Sequence, residues 1–158
     1  MSVNWTAFDF KDALAAQIDL SGLMDPTPRI VTYWPSPDEI DTDLLIVGWE
    51  ASDDNEQITL AAGQSKYQEA VVLGCAALVV RVNGDGAVGL ARDRAEELLA
   101  RVDTQVRNNK PSVGIQTISA AVTNRRSVEA PDSAGENVPT RVCVIEFDVT
   151  YRARTPST

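Results

Sequence analysis

The segment from Val138 to Arg154 carries the pattern that most restricts the fold. Cys143, Ile145, Phe147, Val149 and Tyr151 alternate there with Glu146, Asp148, Thr150 and Arg152. A period of two places the first set on one face of a strand and the second set on the other, so the strand is half-buried. Val113–Asn124 alternates more weakly and reads as a second strand. Between them, Arg125–Asn137 is polar, contains Pro131 and Gly135, and reads as a flexible loop with no room for a crossover helix. Two strands joined in that way pair antiparallel.

A helix precedes this pair. Ala91, Ala95, Leu98, Val102 and Val106 form an apolar stripe over Leu90–Arg107, widened by Leu99. Glu97–Arg101 and Asp103–Arg107 are favourable pairs at i,i+4, and Asn108-Asn109-Lys110-Pro111 ends the helix. A second helix opens the chain. Thr6 and Asp9 take capping-box positions, Trp5 and Phe10 those of a hydrophobic staple, and Phe10, Leu14 and Ile18 form its buried stripe. Ser21-Gly22 is its expected stop, and Asp25-Pro26-Thr27-Pro28 reads as an extended linker.

The middle of the chain reads as strands. Arg29–Tyr33 is short and is followed by the proline loop Trp34–Asp38. Leu44–Glu50 is apolar on both faces, with Leu45, Val47 and Trp49 on one and Leu44 and Ile46 on the other. Ser52-Asp53-Asp54-Asn55 reads as an acidic turn and Ile58–Ala62 as a short strand. Tyr67–Val82 is rich in valine and reads as a long strand with a bulge or bend at Gly74, although Glu69–Leu78 also suits a buried helix. The expected order is therefore α-β-β-β-α-β-β. It describes one α+β domain over residues 1–158, with two helices on one face of a mostly antiparallel, curved sheet of four to five strands. Residues 1–24 hold the first helix, and 155–158 form a short tail.

Composition bounds the chemistry. The chain has 158 residues and no histidine, which removes Ser-His and Cys-His catalytic pairs and imidazole metal sites. Cys75 and Cys143 lie in apolar runs and read as buried packing thiols. No apolar run is long enough for a membrane helix, and the start MSVNWTAFDF has neither the basic residues nor the apolar stretch of a signal peptide. The acids Asp38, Glu39, Asp41, Asp43, Asp53, Asp54 and Glu56 match no EF-hand spacing and read as a solvated face. Glu146 and Asp148 share a strand face near Arg125, Arg126, Arg141 and Arg152, where ion pairing is expected. Gly84-Asp85-Gly86-Ala87-Val88-Gly89 fits the dinucleotide pattern G-x-G-x-x-G. The expected ribose-binding acid would be Asp103, which lies inside a helix, and Asp85 would repel phosphate. A β-to-α turn is the plainer reading, so no cofactor and no enzymatic activity are expected. A nucleotide-binding enzyme using this loop remains an alternative.

The net charge of −9 resides in the first part of the chain, where residues 1–66 hold 12 acids and 3 bases. Residues 67–158 hold 11 of each. An acidic surface repels DNA or meets a basic partner, and it also serves solubility. Long strands leave sheet edges that invite another chain. Trp34 and Trp49 adjoin loops, where they suit subunit anchors and core packing equally.

From Gln64 to Arg154 the chain resembles the tail-terminator, or tail-completion, proteins of long-tailed siphophages. The likeness rests on Gln64-Ser65-Lys66-Tyr67-Gln68-Glu69 opening a long apolar strand and on Asn83-Gly84-Asp85-Gly86. It continues through the helix from Ala91 to Leu99 and the closing strand from Arg141 to Arg154. The N-terminal helix and proline-flanked strand also sit where this family has them. The resemblance implies a structural virion protein, made in the bacterial host cytoplasm, that forms a ring of usually six copies at the head-proximal end of the tail. Its implied partners are further copies of itself, the major tail tube protein and the head-neck connector or stopper. DNA would only pass through the lumen, to which the acidic first part would contribute, and no membrane is involved. Expected assembly residues are Trp34, Trp49, Asp53, Asp54, Arg125, Arg126, Arg152 and Arg154. The loops around Asp53 and over Arg125–Asn137 are expected to make axial contacts, mobile in the free subunit and ordered in the assembly. Another phage neck or tail-tube protein would share this logic.

Overall fold

The computed structural model of the chain describes residues 6–23, 27–40, 43–59, 65–82, 87–108, 116–132 and 140–156. Its elements follow the order α1 (Ala7–Gln17), β1 (Arg29–Val31), β2 (Leu44–Thr59), β3 (Ser65–Val82), α2 (Ala87–Asn108), β4 (Gln116–Asp132) and β5 (Thr140–Pro156), with a 3-10 turn at Pro37–Glu39. The strands form one five-stranded sheet in the order β1-β2-β3-β5-β4. Only β1 and β2 run parallel, and every other neighbouring pair is antiparallel. The fold is α+β, with both helices on one face of a mostly antiparallel sheet.

The alternation in β5 decides which face is covered. Cys143, Ile145, Phe147, Val149 and Tyr151 are buried, opposite Val79, Ala77, Cys75, Leu73 and Val71 of β3. Helix α2 lays Ala91, Ala95, Leu98, Leu99, Val102 and Val106 on them, and α1 adds Phe10 and Leu14. The Phe10 ring stacks on Tyr151 with centroids 3.7 Å apart. On the other face, a smaller cluster of Val31, Leu44, Ile46, Ala76 and Leu78 is buried, with Ile40 packed against it.

Several local expectations are corrected. Thr6 makes no side-chain cap; its hydroxyl hydrogen-bonds the Tyr151 hydroxyl at 2.8 Å, a buried contact that ties α1 to β5. The staple residue Trp5 lies outside the described residues. The α1 helix ends at Gln17, before Ser21-Gly22, because Ile18 is already extended. Strand β1 ends at Val31, two residues short of Tyr33. Ser52–Asn55 is no turn: β2 runs straight through it, register-paired with β3 from Glu50↔Gly74 to Thr59↔Ser65. Ile58 belongs to that same strand, and residues 60–62 lie outside the described residues. Arg125–Asp132 is likewise strand and not loop, since β4 pairs with β5 as far as Asp132↔Thr140. Strand β5 extends to Pro156, into the expected tail.

The long strand over 67–82 is borne out as β3, 18 residues long and paired with β5 from Lys66↔Pro156 to Val82↔Thr140 with no register shift. Gly74 therefore is not the bulge. The irregularity lies across from it in β2, where Gly48 and Trp49 take no partner while β3 steps from Cys75 to Gly74. The Asp103–Arg107 pair forms at 3.0 Å. Arg101 instead donates to the Asp19 carbonyl at 3.0 Å, and Glu97 pairs with Arg94 at 3.6 Å. Asp43, one of the expected solvated acids, is buried and faces Arg94 at 3.4 Å.

Candidate functional site

The bulge in β2 builds the first notable surface. Gly48 has φ +72°, and a Cβ there would lie 2.7 Å from Cδ of Lys11. Only glycine accepts both conditions. The Lys11 ammonium donates to the carbonyls of Thr32 and Gly48, both at 3.2 Å, and so pins α1 to the end of β1 and to the bulge. It also lies 5.3 Å from the Phe8 ring centroid, within cation–π range. The bulge turns Trp49 away from the row of Leu45 and Val47 and sets it edge-on against Trp34, ring centroids 5.3 Å apart. Phe8, Tyr33, Trp34 and Trp49 are exposed by 55, 52, 44 and 38%. Lys11 thus joins the Phe8 ring to the backbone at Thr32 and at the bulge, and the two tryptophans are not core residues. Tyr33 donates to Glu39 at 3.0 Å, a bond that raises its phenol pKa and fixes the ring.

At this cluster the edge of β2 opens. Strand β1 covers only Leu44–Ile46, so from Glu50 onward β2 has no neighbour on that side among the described residues. This open stretch contains Glu50, Asp53, Asp54 and Glu56 and no base. Asp53 and Asp54 are strand residues here, paired in register with Val71 and Ala70.

The far edge of the sheet is different. Strand β4 has β5 on one side and no strand on the other among the described residues. Its register slips between Thr117 and Ser119 and again between Thr123 and Arg126, where Asn124 has φ +54°. Pro131, which has no N–H to donate, is admitted because the strand is an edge. At the second slip Asn124 donates to Asp148 at 3.0 Å and Arg126 bonds Glu146 at 2.7 Å. The expected pairing on this face thus forms for Glu146 with Arg126, while Asp148 takes an amide. Arg125 and Arg152 are exposed and have no carboxylate partner among the described residues. Arg154 pairs in register with Gln68 and Gln116.

The eight expected assembly residues therefore do not form one patch. Trp34, Trp49, Asp53 and Asp54 gather at the β2 edge, and Arg125, Arg126, Arg152 and Arg154 lie on β4 and its neighbour β5. Three strand spacings, about 14 Å, separate β2 from β4. Tyr33, Phe8 and the bulge glycine were missed. Lys11, next to Phe10 and three residues before Leu14 of the apolar stripe, is the available signal.

No group of three or more potential metal ligands exists among the described residues. Both cysteines are buried thiols in no disulfide, and burial pushes the Cys75 thiol up to about 12, far from thiolate reactivity. Gly84–Gly86 lies outside the described residues. Gly89 sits in the first turns of α2 with open space around its Cα, so it does not serve the close helix–strand packing of the dinucleotide motif. Compared with known proteins, the sequence matches no family model and no curated protein.

Proposed function

We propose that this chain is a structural subunit of a long non-contractile phage tail, forming a ring that caps the head-proximal end of the tube. The ring stops further addition of tube protein and presents the joint to the head-neck connector. The exposed Trp34–Trp49 pair carries this reading. Exposed aromatic side chains held rigidly at one place are typical of the anchors of protein–protein contacts. The long strand, the helix and the closing strand through which the resemblance to tail-terminator proteins runs are β3, α2 and β5.

The mechanism is a matter of surfaces and needs no catalytic group. One axial face of the ring matches the end of the tube and the other does not, so growth ends after one layer. Acidic residues of the first part of the chain line the lumen and keep DNA from adhering during passage. Asp43 is not among them, because it is spent on Arg94.

Electron microscopy of the purified protein, alone and with its tail tubes, tests the reading. Single rings at one end of each tube are expected. Long stacks of this protein alone would make it a tube protein, and no ring in either sample would overturn the assembly role. A basic lumen in the assembled ring would sink the proposed DNA-repelling role of the acids.

A further inference from the structure

The two open edges of the sheet are unlike, and their directions fit each other. Strand β2 runs antiparallel to β3, β3 to β5 and β5 to β4, so β4 points opposite to β2. A second copy placed beside the first in the same orientation would bring its β2 edge against the β4 edge of its neighbour. The two strands would then meet antiparallel, the pairing already used by four of the five strands. Such a contact is heterologous, using a different patch on each copy, and so propagates around a ring.

Charge and side-chain size agree with that arrangement. The charged residues in the open half of β2 are all acidic: Glu50, Asp53, Asp54 and Glu56. Between its two register slips, β4 offers Ser119–Thr123, a short regular stretch of small and β-branched residues with no charge and no proline. This is the part of the edge that lacks the usual guards against pairing. Arg152 of β5 lies in register beside Ser119, exposed behind this low edge, and Arg126 follows the second slip. Within one subunit Asp54 and Arg152 stand in one row on either side of Ala70. Across a junction, the acidic strand of one copy meets an uncharged edge stretch of the next, with Arg152 one strand behind it and Arg126 just past its end.

We infer that the Glu50–Thr59 segment of β2 in one copy adds antiparallel to Ser119–Thr123 of β4 in the next, joining copies head to tail into one continuous sheet. This rests on the ring reading and names the contact that closes the ring. The Trp34–Trp49 pair, at the start of the open β2 segment, anchors the junction.

Charge exchange tests the contact. Asp54→Arg and Arg152→Asp are prepared separately, combined in one chain, and also mixed as equal amounts of the two single variants. Their assembly is read by analytical ultracentrifugation and their folding by circular dichroism. Each single variant should assemble about tenfold more weakly than the parent chain, the scale of one unfavourable charge contact. The doubly substituted chain should recover. The mixture should recover too, because in a head-to-tail ring each altered edge then meets the other variant's altered partner. Recovery of the double variant without recovery of the mixture would place the pair inside one subunit and overturn the inference. Single variants that assemble like the parent would overturn it as well, and the ring reading would stand if the parent still caps tubes.

A parent chain that forms no ring, alone or on tubes, removes both readings. Cysteine linking covers the case of a charge variant that fails to fold. Ser52→Cys is combined in turn with Ser119→Cys, Ala121→Cys or Thr123→Cys, while native Cys75 and Cys143 stay silent in the core. At least one combination should give a ladder of linked chains that neither single variant gives. Dimers from Ser52→Cys alone, or no ladder from any combination in a chain that forms rings, would overturn the head-to-tail contact.

Discussion

The two faces of the β3–β5 ladder share one backbone and differ in almost everything else. The helix-covered face carries Leu73, Cys75, Ala77 and Val79 opposite Val149, Phe147, Ile145 and Cys143, all buried. The opposite face is buried at its Ala76–Leu78 end, together with Val31, Leu44 and Ile46; beyond that end it is uncovered and pairs Val72 with Thr150 and Gly74 with Asp148. The first face is set by exclusion of water, which rewards any apolar side chain of suitable size. The second is set by small residues that leave the surface low and by charges that find partners singly. Stability should thus respond steeply to changes on one face and weakly on the other.

The largest effect is expected from Phe147→Ala, which empties a site that is 1% exposed. It should lower the unfolding free energy by roughly 3–5 kcal/mol in urea titration. Thr150→Ala, three residues on and across the sheet, should stay within about 0.5 kcal/mol. Equal losses would mean that the stretch around Val72 and Thr150 is packed as well, and the comparison would fail. Arg94→Met comes next. It leaves the Asp43 carboxylate buried without its guanidinium, and loss of one partner of a buried pair costs roughly 3 kcal/mol. Denaturant titration of Arg94→Met beside Asp43→Asn checks this; the joint variant should be less damaged than the sum of its parts.

The two strand glycines sharpen the contrast. A methyl group at Gly48 meets Cδ and Cβ of Lys11 at 2.7 and 3.0 Å on a backbone of positive φ. Gly48→Ala should therefore cost about 2 kcal/mol, read as a drop in Tm. A methyl group at Gly74 meets Cγ of Glu50 at 2.7 Å, so that exposed side chain must shift, but the backbone at Gly74 has no positive φ. Gly74→Ala should remain within about 1 kcal/mol. Thr123 offers a gain: its hydroxyl oxygen is buried without a hydrogen-bond partner among the described residues. Thr123→Val keeps the branched shape and removes that cost, so Tm should rise, by about 1 kcal/mol of added stability.

What could be read from the sequence follows the same division. Periods of two and of three to four residues identified β5, α2 and the buried residues of both, because burial acts on every residue of a face at once. Ser52–Asn55 reads as a turn and Arg125–Asp132 as a loop because polar residues in a strand at a sheet edge look like those of a connection. Pairing with β3 and β5 holds them extended, and no local signal reports a distant partner. The bulge was placed at Gly74 because a glycine inside a strand is the usual mark of one. The choice between Gly74 and Gly48 depended on Lys11, which reaches Gly48 only after α1 has packed. The Thr6–Tyr151 bond spans nearly the whole chain and was invisible for the same reason. Of the site, residue types were legible and their division between two edges was not, since that division is a property of strand order.

Arg126 separates the two roles most finely. Its guanidinium bonds Glu146 at 2.7 Å, yet the arginine is 71% exposed and the glutamate 33% exposed. An ion pair in that much water contributes at most about 0.5 kcal/mol, so Arg126→Ala should hardly move the Tm. The same substitution removes a cation beside the Ser119–Thr123 edge and leaves Glu146 uncompensated where the acidic β2 of a neighbour is inferred to arrive. Assembly should weaken several-fold, and more so at low salt, where the added repulsion is least screened. A stability loss above 1 kcal/mol with unchanged assembly would reverse that assignment. It would make the uncovered face a place where charges hold the fold, and the difference between the two faces would then be one of degree.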